Sequence, residues 1–526
     1  MGSAKAIHIK LARAEAKQLG LDGLLAPVFQ VQSTPKAGKK SAAASATASA
    51  WQAGWNNLLS LLDETVSIRP GYDTAVTEGE FDAALGSTLL LRDGADSAKR
   101  VVLLGLGRSN KLTLEALGKA WVAGLKRCLK NKAIDHLGLL LPELPEALSF
   151  ASVIELAADA IYEATYQSAE AKKPPRERWD VTLLLPHKPT KADEQSLTIG
   201  EAMARAKSLS KDLINMPANL KRTTTLVEAA QALAKKPGIT VQVESDIAWI
   251  EREMPAFFSV ARGAVASDPP KFITLHYKPK GGKSKTHLVL VGKSVIFDTG
   301  GYQVKPGNSM VTMKGDMAGG ATVLATMAAL AELQPDIQVS AYLAATPNLI
   351  DSHAMIPDSV VKSTCGKRVE IRHTDAEGRL TLIDAVAKAA ADTEPDMILT
   401  IATLTGAAMR AVGRTIALMG NNVQWRDRVH AAALAVGDPV QTLEVVDEDY
   451  ENIKSKMDAA DLINTNQGEN RGAQTAAAFV MSGAPEGLPM VHLDIAGADM
   501  TKDEKATGIS QKTLIRFVLD VASNPK

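Results

Sequence analysis

Residues 287–301, HLVLVGKSVIFDTGG, hold the pattern that decides the fold class. The part from 287 to 292 is almost continuously apolar, which is typical of a strand buried on both faces of a sheet. Similar apolar runs predict strands at 339–345, 397–402 and 490–495. Helical patterns occupy 317–333, 382–392 and 472–482, and another precedes them at about 196–214. Strands that alternate with helices predict an α/β domain with a mixed central sheet flanked by helices.

The first third of the chain repeats this texture on a smaller scale. Val101–Leu106 is a short apolar strand, 112–130 has helical spacing, and 137–141 is another apolar run. A helical stretch follows at 150–169. This βαβ texture predicts a small N-terminal α/β domain over residues 1–170.

Two segments interrupt the globular pattern. Residues 33–50 are rich in Ala, Ser, Thr and Lys, which indicates a mobile surface insertion or a weak helix. Residues 171–178, AKKPPRER, combine paired prolines with dense charge, which indicates a linker over 171–190. The larger domain is therefore expected to span residues 191–526.

The composition excludes several classes of protein. The chain has 526 residues, and its 59 basic residues balance its 59 acidic ones. This balance and an aromatic content of 4% argue against nucleic acid as a main partner. With two cysteines, Cys128 and Cys365, a disulfide framework is excluded and a reducing compartment is favoured. No apolar run reaches the roughly 18 residues of a membrane span, and Met1–Lys10 lacks the apolar core of a secretory signal, so we expect a cytoplasmic protein.

Acidic and basic side chains collect where the predicted strands end, which is where open α/β sheets bind ligands. Three stretches carry them: VGKSVIFDTGGYQVKPG at 291–307, MVTMKGDMAGGATV at 310–323 and HTDAEGRLTLIDAV at 373–386. Taken alone, an aspartate at a strand end is most often a turn residue or a helix cap. Three such stretches in this order make a convergent site the stronger interpretation.

The charges in these stretches predict a pair of metal ions. Carboxylates that lie close together without counter-charges strongly disfavour one another's ionisation. Two divalent cations would cancel the four negative charges. The oxygen-rich set suits Mn²⁺ or Mg²⁺ and also accepts Zn²⁺. The four acids are Asp298, Asp316, Asp375 and Glu377.

The same stretches closely resemble the leucyl aminopeptidases, the two-metal exopeptidases also called cytosol aminopeptidases. Other segments are similar to that family as well, from about residue 100 to the end of the chain. They are VVLLGLGRSNKLTLEALGKA at 101–120, NMPAN at 215–219, TLTGA at 403–407 and HLDIAG at 492–497.

The resemblance implies a role for each residue of the site. The ligands of a tightly held metal would be Lys293, Asp298, Asp316 and Glu377. The ligands of a second, exchangeable metal would be Asp298, Asp375 and Glu377. Lys305 would polarise the scissile carbonyl, and Arg379 would hold a bicarbonate that acts as a general base. The pocket for the first side chain would be lined by Met313, Thr403, Gly406 and Ala496.

A few positions depart from the usual family pattern. His373 stands where Asn is common, and Asp499 stands where the family often places an apolar pocket residue. Thr299 replaces a usual Ser, and Ser294 replaces a usual Gly. None of these changes removes an implied ligand, so an active enzyme is expected.

The resemblance implies hydrolysis of the N-terminal residue of short peptides, with leucine-like residues preferred and broad specificity. It also implies Zn²⁺ or Mn²⁺ as cofactors and a homohexamer, with no membrane partner. Two alternatives remain open, the first from the residues and the second from the family resemblance. One is a two-metal phosphoesterase, and the other is an aminopeptidase homologue with a second role as a DNA-binding or structural protein.

Overall fold

The computed structural model describes residues 6–13, 21–30, 80–92, 100–142, 148–171, 178–279, 281–468 and 470–525. The chain divides into two compact units, residues 1–204 and residues 205–526. The predicted insertion at 33–50 lies outside the described residues. Among the helices that are described, none combines the length and the apolar character needed to cross a membrane.

Unit 1 is a sheet with helices packed on it. Its strands are β1 Ala6–Arg13, β2 Gly23–Gln30, β3 Thr88–Arg92, β4 Arg100–Arg108, β5 His136–Leu140 and β6 Arg178–Leu185. Its helices are α1 Leu114–Leu129 and α2 Phe150–Thr165, and α3 Lys191–Asn215 crosses the boundary into unit 2. Over the described residues the strand order is β1-β6-β5-β2-β4-β3, and every pair is parallel except β3 with β4.

The prediction of a linker over 171–190 is wrong for residues 178–185. These residues form β6, which pairs with β1 on one side and β5 on the other. The physical reason is the buried apolar run Val181–Leu185, which outweighs the charged start of the segment. Residues 172–177, which include the paired prolines, lie outside the described residues.

Unit 2 contains the larger set of elements. Its further strands are β7 Ile239–Glu244, β8 Lys271–Tyr277, β9 His287–Gly292, β10 Ser294–Asp298, β11 Gln338–Asn348, β12 Ser359–Lys362, β13 Arg368–Ile371, β14 Met397–Ala402, β15 Ile416–Gly420, β16 Val440–Thr442, β17 Leu462–Ile463 and β18 Met490–Asp494. Its further helices are α4 Thr223–Leu233, α5 Ile247–Glu253, α6 Pro255–Ala261, α7 Ala318–Leu333, α8 Glu377–Asp392, α9 Gly406–Val412, α10 Val423–Ala435, α11 Asp447–Glu451, α12 Gly472–Met481 and α13 Gln511–Ser523.

The main sheet of unit 2 is mixed, as the sequence predicts. Over the described residues its order is β16-β15-β18-β14-β9-β11-β8-β7, with β10 also paired to β11. The central strands β18, β14, β9 and β11 are parallel. At one side β8 pairs antiparallel with both β11 and β7, and at the other side β15 pairs antiparallel with β18. Strands β12, β13 and β17 form a separate small sheet in that order. The predicted α/β fold class is confirmed.

Alternate residues of β9 pack into two different hydrophobic cores. Leu288 and Leu290 belong to one core, and Val289 and Val291 belong to the other. Because successive side chains of a strand point to opposite faces, both faces of the sheet are covered. This double burial explains the continuous apolar run at 287–292.

The carboxyl ends of the parallel strands meet at one edge of this sheet. β9 ends at Gly292, β14 at Ala402 and β18 at Asp494. Helices α7 and α8 begin at residues 318 and 377, within the second and third of the predicted stretches. The fold therefore brings loops that are distant in sequence to one place.

Candidate metal centre

Four acidic residues occupy the ends of these elements. Asp298 is the last residue of β10, and Glu377 is the first residue of α8. Asp316 directly follows the 3₁₀ turn Met313–Gly315, and Asp375 lies two residues before α8. Asp298, Asp375 and Glu377 each offer a carboxylate oxygen, and these oxygens all lie within 4.8 Å of one another. Such spacing allows a single cation to contact several of them.

Lys293 connects two of the acids across the sheet edge. Its backbone N–H donates to the carbonyl of Ile401 at 3.0 Å, which anchors it to β14. Its Nζ lies 2.8 Å from Asp316 Oδ1 and 2.8 Å from Glu377 Oε1. The same nitrogen donates to the carbonyl of Thr403 at 3.1 Å. The buried amine is thus held in a fixed position inside the cluster.

Lys305 connects the other two acids. Its Nζ lies 2.8 Å from Asp298 Oδ2 and 2.6 Å from Asp375 Oδ1. The loop before it turns tightly at Gly300, where φ is +88°. A Cβ at that position would lie 2.9 Å from the backbone nitrogen of Lys305, so the close approach requires glycine.

Two buried oxygens of the cluster have neither a hydrogen-bond nor an ion-pair partner in the described part of the chain, whereas Asp375 Oδ1 has only its ion pair with Lys305. The two unpartnered atoms are Asp316 Oδ2 and Glu377 Oε2. An unpartnered buried carboxylate oxygen costs free energy, so native proteins usually pair it with a donor or a cation. Carboxylate oxygens beside an amine form a donor set that divalent cations accept. The residues present therefore fit a metal site.

The electrostatics of the cluster favour added positive charge. Burial raises the pKa of Asp316, Asp375 and Glu377, and neighbouring carboxylates raise it further. Burial alone would lower the pKa of the two lysine ammonium groups, but the adjacent carboxylates outweigh burial, so their pKa is raised. Without a metal, these groups therefore retain protons that a bound cation would displace.

The sequence patterns do not single out Asn348, although it supports the cluster. Its Nδ2 donates to Asp298 Oδ1 at 2.8 Å and to the carbonyl of Thr374 at 3.1 Å. Asn348 is the last residue of β11, so its position at a strand end is the signal that could have found it.

Asp494 is a second supporting residue that the sequence patterns do not single out, and it ends β18. Its carboxylate accepts from Leu404 N at 3.1 Å and from Thr405 Oγ1 at 2.8 Å. Burial raises the pKa of Asp494 to about 6. These bonds hold the segment whose Thr403 carbonyl accepts from Lys293.

Arg379 is the third residue of α8 and is buried beside the cluster. Its guanidinium donates to the carbonyl of Asn464 at 2.8 Å. Burial lowers the pKa of Arg379 to about 10, so it stays positively charged at neutral pH. The Asn464 amide also donates to the carbonyl of His373 at 2.7 Å, and burial lowers the pKa of the His373 ring.

The predicted pocket residues differ in how they relate to the cluster. Thr403 contacts it directly, since its hydroxyl donates to Asp316 Oδ1 at 2.8 Å. The carbonyl of Met313 accepts from the backbone N–H of Asp316 at 3.2 Å. Gly406, which begins α9, and Ala496, which lies just beyond β18, have no direct hydrogen bond to the cluster in the described part of the chain.

Asp499 places a carboxyl group beside the turn Met313–Gly315. Its Oδ2 would lie 3.5 Å from a Cβ built on Gly315. Burial raises the pKa of Asp499 to about 7. The wall next to the predicted pocket is therefore not purely apolar.

Comparison with known proteins identifies the family. The model of the cytosol aminopeptidase family catalytic domain matches residues 208–515, and the model of its N-terminal domain matches residues 60–175. The chain belongs to the cytosol aminopeptidase family. The resemblance inferred from the motifs is confirmed. A member of this family is a metal-dependent aminopeptidase, a hydrolase that releases residues from peptide N termini with divalent metal cofactors.

Relatives in the cytosol aminopeptidase family match most of the chain. A relative from Solibacter usitatus, named probable cytosol aminopeptidase, is 36% identical over 463 residues, which cover 86% of this chain and 93% of the relative. One of the same name from Aquifex aeolicus is 34% identical over 458 residues, which cover 84% and 89%.

Solved structures share the fold over nearly the whole chain. A tomato leucine aminopeptidase mutant matches with a TM-score of 0.83 and 27% identity, and the match covers 99% of this chain and 98% of that one. The bottromycin maturation enzyme BotP in complex with Mn matches with a TM-score of 0.78 and 25% identity, and the match covers 95% and 100%.

Proposed function

We propose that this aminopeptidase uses two divalent cations to remove the N-terminal residue from short peptides, with a broad preference for leucine-like residues. The observation that carries the proposal is the buried cluster with two unpartnered carboxylate oxygens, Asp316 Oδ2 and Glu377 Oε2. Four acids and two lysines at one sheet edge leave a net negative charge that two cations would reverse.

The proposed ligands fall into two overlapping sets. One cation would be held by Lys293, Asp298, Asp316 and Glu377. The other would be held by Asp298, Asp375 and Glu377. Lys293 can serve only as a neutral amine, and removing its proton costs free energy that a dication offsets. Zn²⁺ and Mn²⁺ are the proposed metals, and the structure of BotP in complex with Mn supports the second.

When bound, the two cations would lower the pKa of a water and polarise the scissile carbonyl. Lys305 would then exchange its two carboxylate partners for that carbonyl oxygen, where its ammonium group stabilises the developing negative charge. Arg379 is proposed to hold a bicarbonate that serves as the general base. Its buried guanidinium, which remains charged at neutral pH, supports anion binding.

The first side chain of the substrate is proposed to lie against Met313, Thr403, Gly406 and Ala496. Apolar pockets discriminate between similar side chains by only about 1–3 kcal/mol per methylene, so broad specificity is expected. By analogy with its family, the protein is also proposed to be a cytoplasmic homohexamer. Light scattering would then give a mass near six times 55.7 kDa, and a monomer mass would contradict the assembly.

The test combines the metal dependence of turnover with one lysine variant. Hydrolysis of Leu-p-nitroanilide is expected with Mn²⁺, and chelation should abolish it reversibly. Lys305→Ala should lower kcat by at least about 10²-fold, the usual cost of removing one donor to a developing oxyanion. Lys454→Ala is the matched control, since Lys454 is exposed and its ammonium pairs with Glu451. Turnover that is absent with metal, or unaffected by its removal, would overturn the proposal.

A further inference from the structure

The C-terminal end of helix α3 contacts the turn that precedes Asp316. The last carbonyl groups of a helix have no partner inside the helix. Here the carbonyl of Ile214 accepts from Lys221 Nζ at 2.9 Å, and the carbonyl of Asn215 accepts from Lys314 Nζ at 3.1 Å. Cations are favourable at this end of a helix because the helix dipole is negative there.

Lys221 joins this helix end to both sides of Asp316. Its side chain is buried, and its Nζ donates to the carbonyl of Lys314 at 2.6 Å and approaches Met317 Sδ at 3.5 Å. Burial, followed by the charge of Lys314, lowers the pKa of Lys221 to about 7. Both the ammonium group and the neutral amine carry enough N–H groups to serve two carbonyl acceptors.

The turn held by Lys221 has a backbone that its own sequence does not favour. Thr312 precedes the turn Met313–Gly315 with φ at +77°, in the left-handed region. This region is unfavourable for β-branched residues and persists only where surrounding contacts determine it. The tethers from Lys221 and Lys314 supply such contacts.

We propose that Lys221 is a positioning residue of the metal centre, which fixes the turn 313–315 so that Asp316 Oδ2 faces the cation. Lys314 is a second, weaker tether of the same turn. The inference rests on the proposed function, because it takes Asp316 as a ligand. Residues that orient metal ligands typically change metal affinity or activity by about 10–100-fold when they are replaced.

A purely structural role makes a different prediction, and Lys512 provides the comparison. Lys512 is also buried. Its Nζ donates to the carbonyl of Val436 at the end of helix α10 at 2.7 Å and lies 3.6 Å from Asp438 Oδ1. Lys512→Met therefore removes a buried lysine from a helix end without touching the turn 313–315. Loss of stability alone should affect Lys221→Met and Lys512→Met alike.

The experiment is a Mn²⁺ titration of the full-length protein, wild type and three variants, against a competing chelator. Circular dichroism and thermal unfolding record whether each variant is folded. Lys221→Met should bind Mn²⁺ at least about 10-fold more weakly than wild type, and Lys314→Met should show a smaller loss. Lys512→Met should stay within about twofold of wild type, as expected for a residue that does not orient a ligand.

The outcomes separate the inference from the proposed function. Wild-type affinity in Lys221→Met and Lys314→Met, or an equal loss in Lys512→Met, would overturn the positioning role while leaving the enzyme assignment intact. Should Lys221→Met fail to fold, the affinity of Lys314→Met alone decides. A wild-type protein that binds no Mn²⁺ would overturn the proposed function itself.

Discussion

At the scale of single residues, Gly378 leaves the space that the Lys293 side chain fills. A Cβ on Gly378 would lie 2.5 Å from Lys293 Cε and 2.8 Å from its Nζ. We expect Gly378→Ala to displace the amine and to weaken Mn²⁺ binding by about 10–100-fold. Alanine itself favours the helix, so any loss of stability would come from the buried pairs that the displaced amine leaves. Metal titration checks the affinity, with Gly468→Ala as control, since a Cβ there meets no atom of the described residues within 4 Å.

The titration of the acids gives a second prediction at this scale. Burial raises the pKa of Asp316, Asp375 and Glu377, so these groups keep protons at a pH where free acids have lost them. A cation must displace those protons, so metal affinity should increase as pH rises, by roughly tenfold per pH unit for each proton displaced. Mn²⁺ dissociation constants measured from mildly acidic to mildly alkaline buffer check this. A constant that does not change with pH would contradict it.

At the scale of elements, Thr405 caps the N-terminus of helix α9 next to the acidic cluster. Thr405 Oγ1 accepts from Ala408 N at 2.9 Å and donates to Asp494 Oδ2 at 2.8 Å. We expect Thr405→Val to cost about 1–2 kcal/mol of unfolding free energy and to lower turnover as the 403–405 segment loosens. Denaturant unfolding and Leu-p-nitroanilide turnover check both effects.

The control for the cap is Thr113→Val at the start of α1. Thr113 Oγ1 accepts from Ala116 N at 3.2 Å, so its removal should also cost stability. Turnover should be unchanged in that variant, because its cap belongs to unit 1. Equal effects of the two variants on turnover would show that the cap of α9 has no special relation to the site.

The elements also show what the sequence predicts well. The apolar runs at 287–292 and 397–402 match β9 and β14 closely, because strands buried on both faces carry a strong signal. The helix predicted at 382–392 begins at Glu377 in the structure. The pattern misses its first residues because the first turn carries buried charged residues, Glu377 and Arg379, in place of apolar ones. Charged residues in and beside the acidic cluster thus hide the helical pattern.

Strands with polar residues were harder to find from the pattern. β8, KFITLHY, includes Thr274 and His276 and lies near one side of the sheet, so its apolar signal is weak. The run predicted at 339–345 extends in the structure to Asn348, the residue that bonds to Asp298. The four acids of the cluster stand out because of their motifs, whereas Asn348 lies in none of these motifs and Asp494 lies in HLDIAG without a role that the pattern assigns.

At the scale of the whole molecule, the metal cluster lies entirely in unit 2. A ligand that binds only the folded state stabilises it, by about 2.7 kcal/mol at a hundredfold excess over its dissociation constant. We therefore expect chelation to lower the Tm of the transition that belongs to unit 2. Differential scanning calorimetry with and without Mn²⁺ checks this, and a Tm that is indifferent to metal would argue against a site formed by folding.

The organisation of the whole chain was predictable only in part. Alternating strands and helices indicate two α/β regions, and the structure contains both. The position of the break was harder to predict, because proline and charge at 171–178 suggested a linker where β6 begins. Local composition is a poor guide to where a linker ends when an apolar run follows directly. Here residues 178–185 form a strand because they pair with β1 and β5.

The division of β9 between two cores has a practical consequence for anyone who alters this enzyme. Leu288 and Leu290 pack against one set of neighbours, and Val289 and Val291 pack against another. Substitutions on one face change one core directly, and they reach the other core only where they shift the shared backbone of the strand. Lys293 follows the last residue of this strand, so a substitution on either face that shifts the strand would also move the amine.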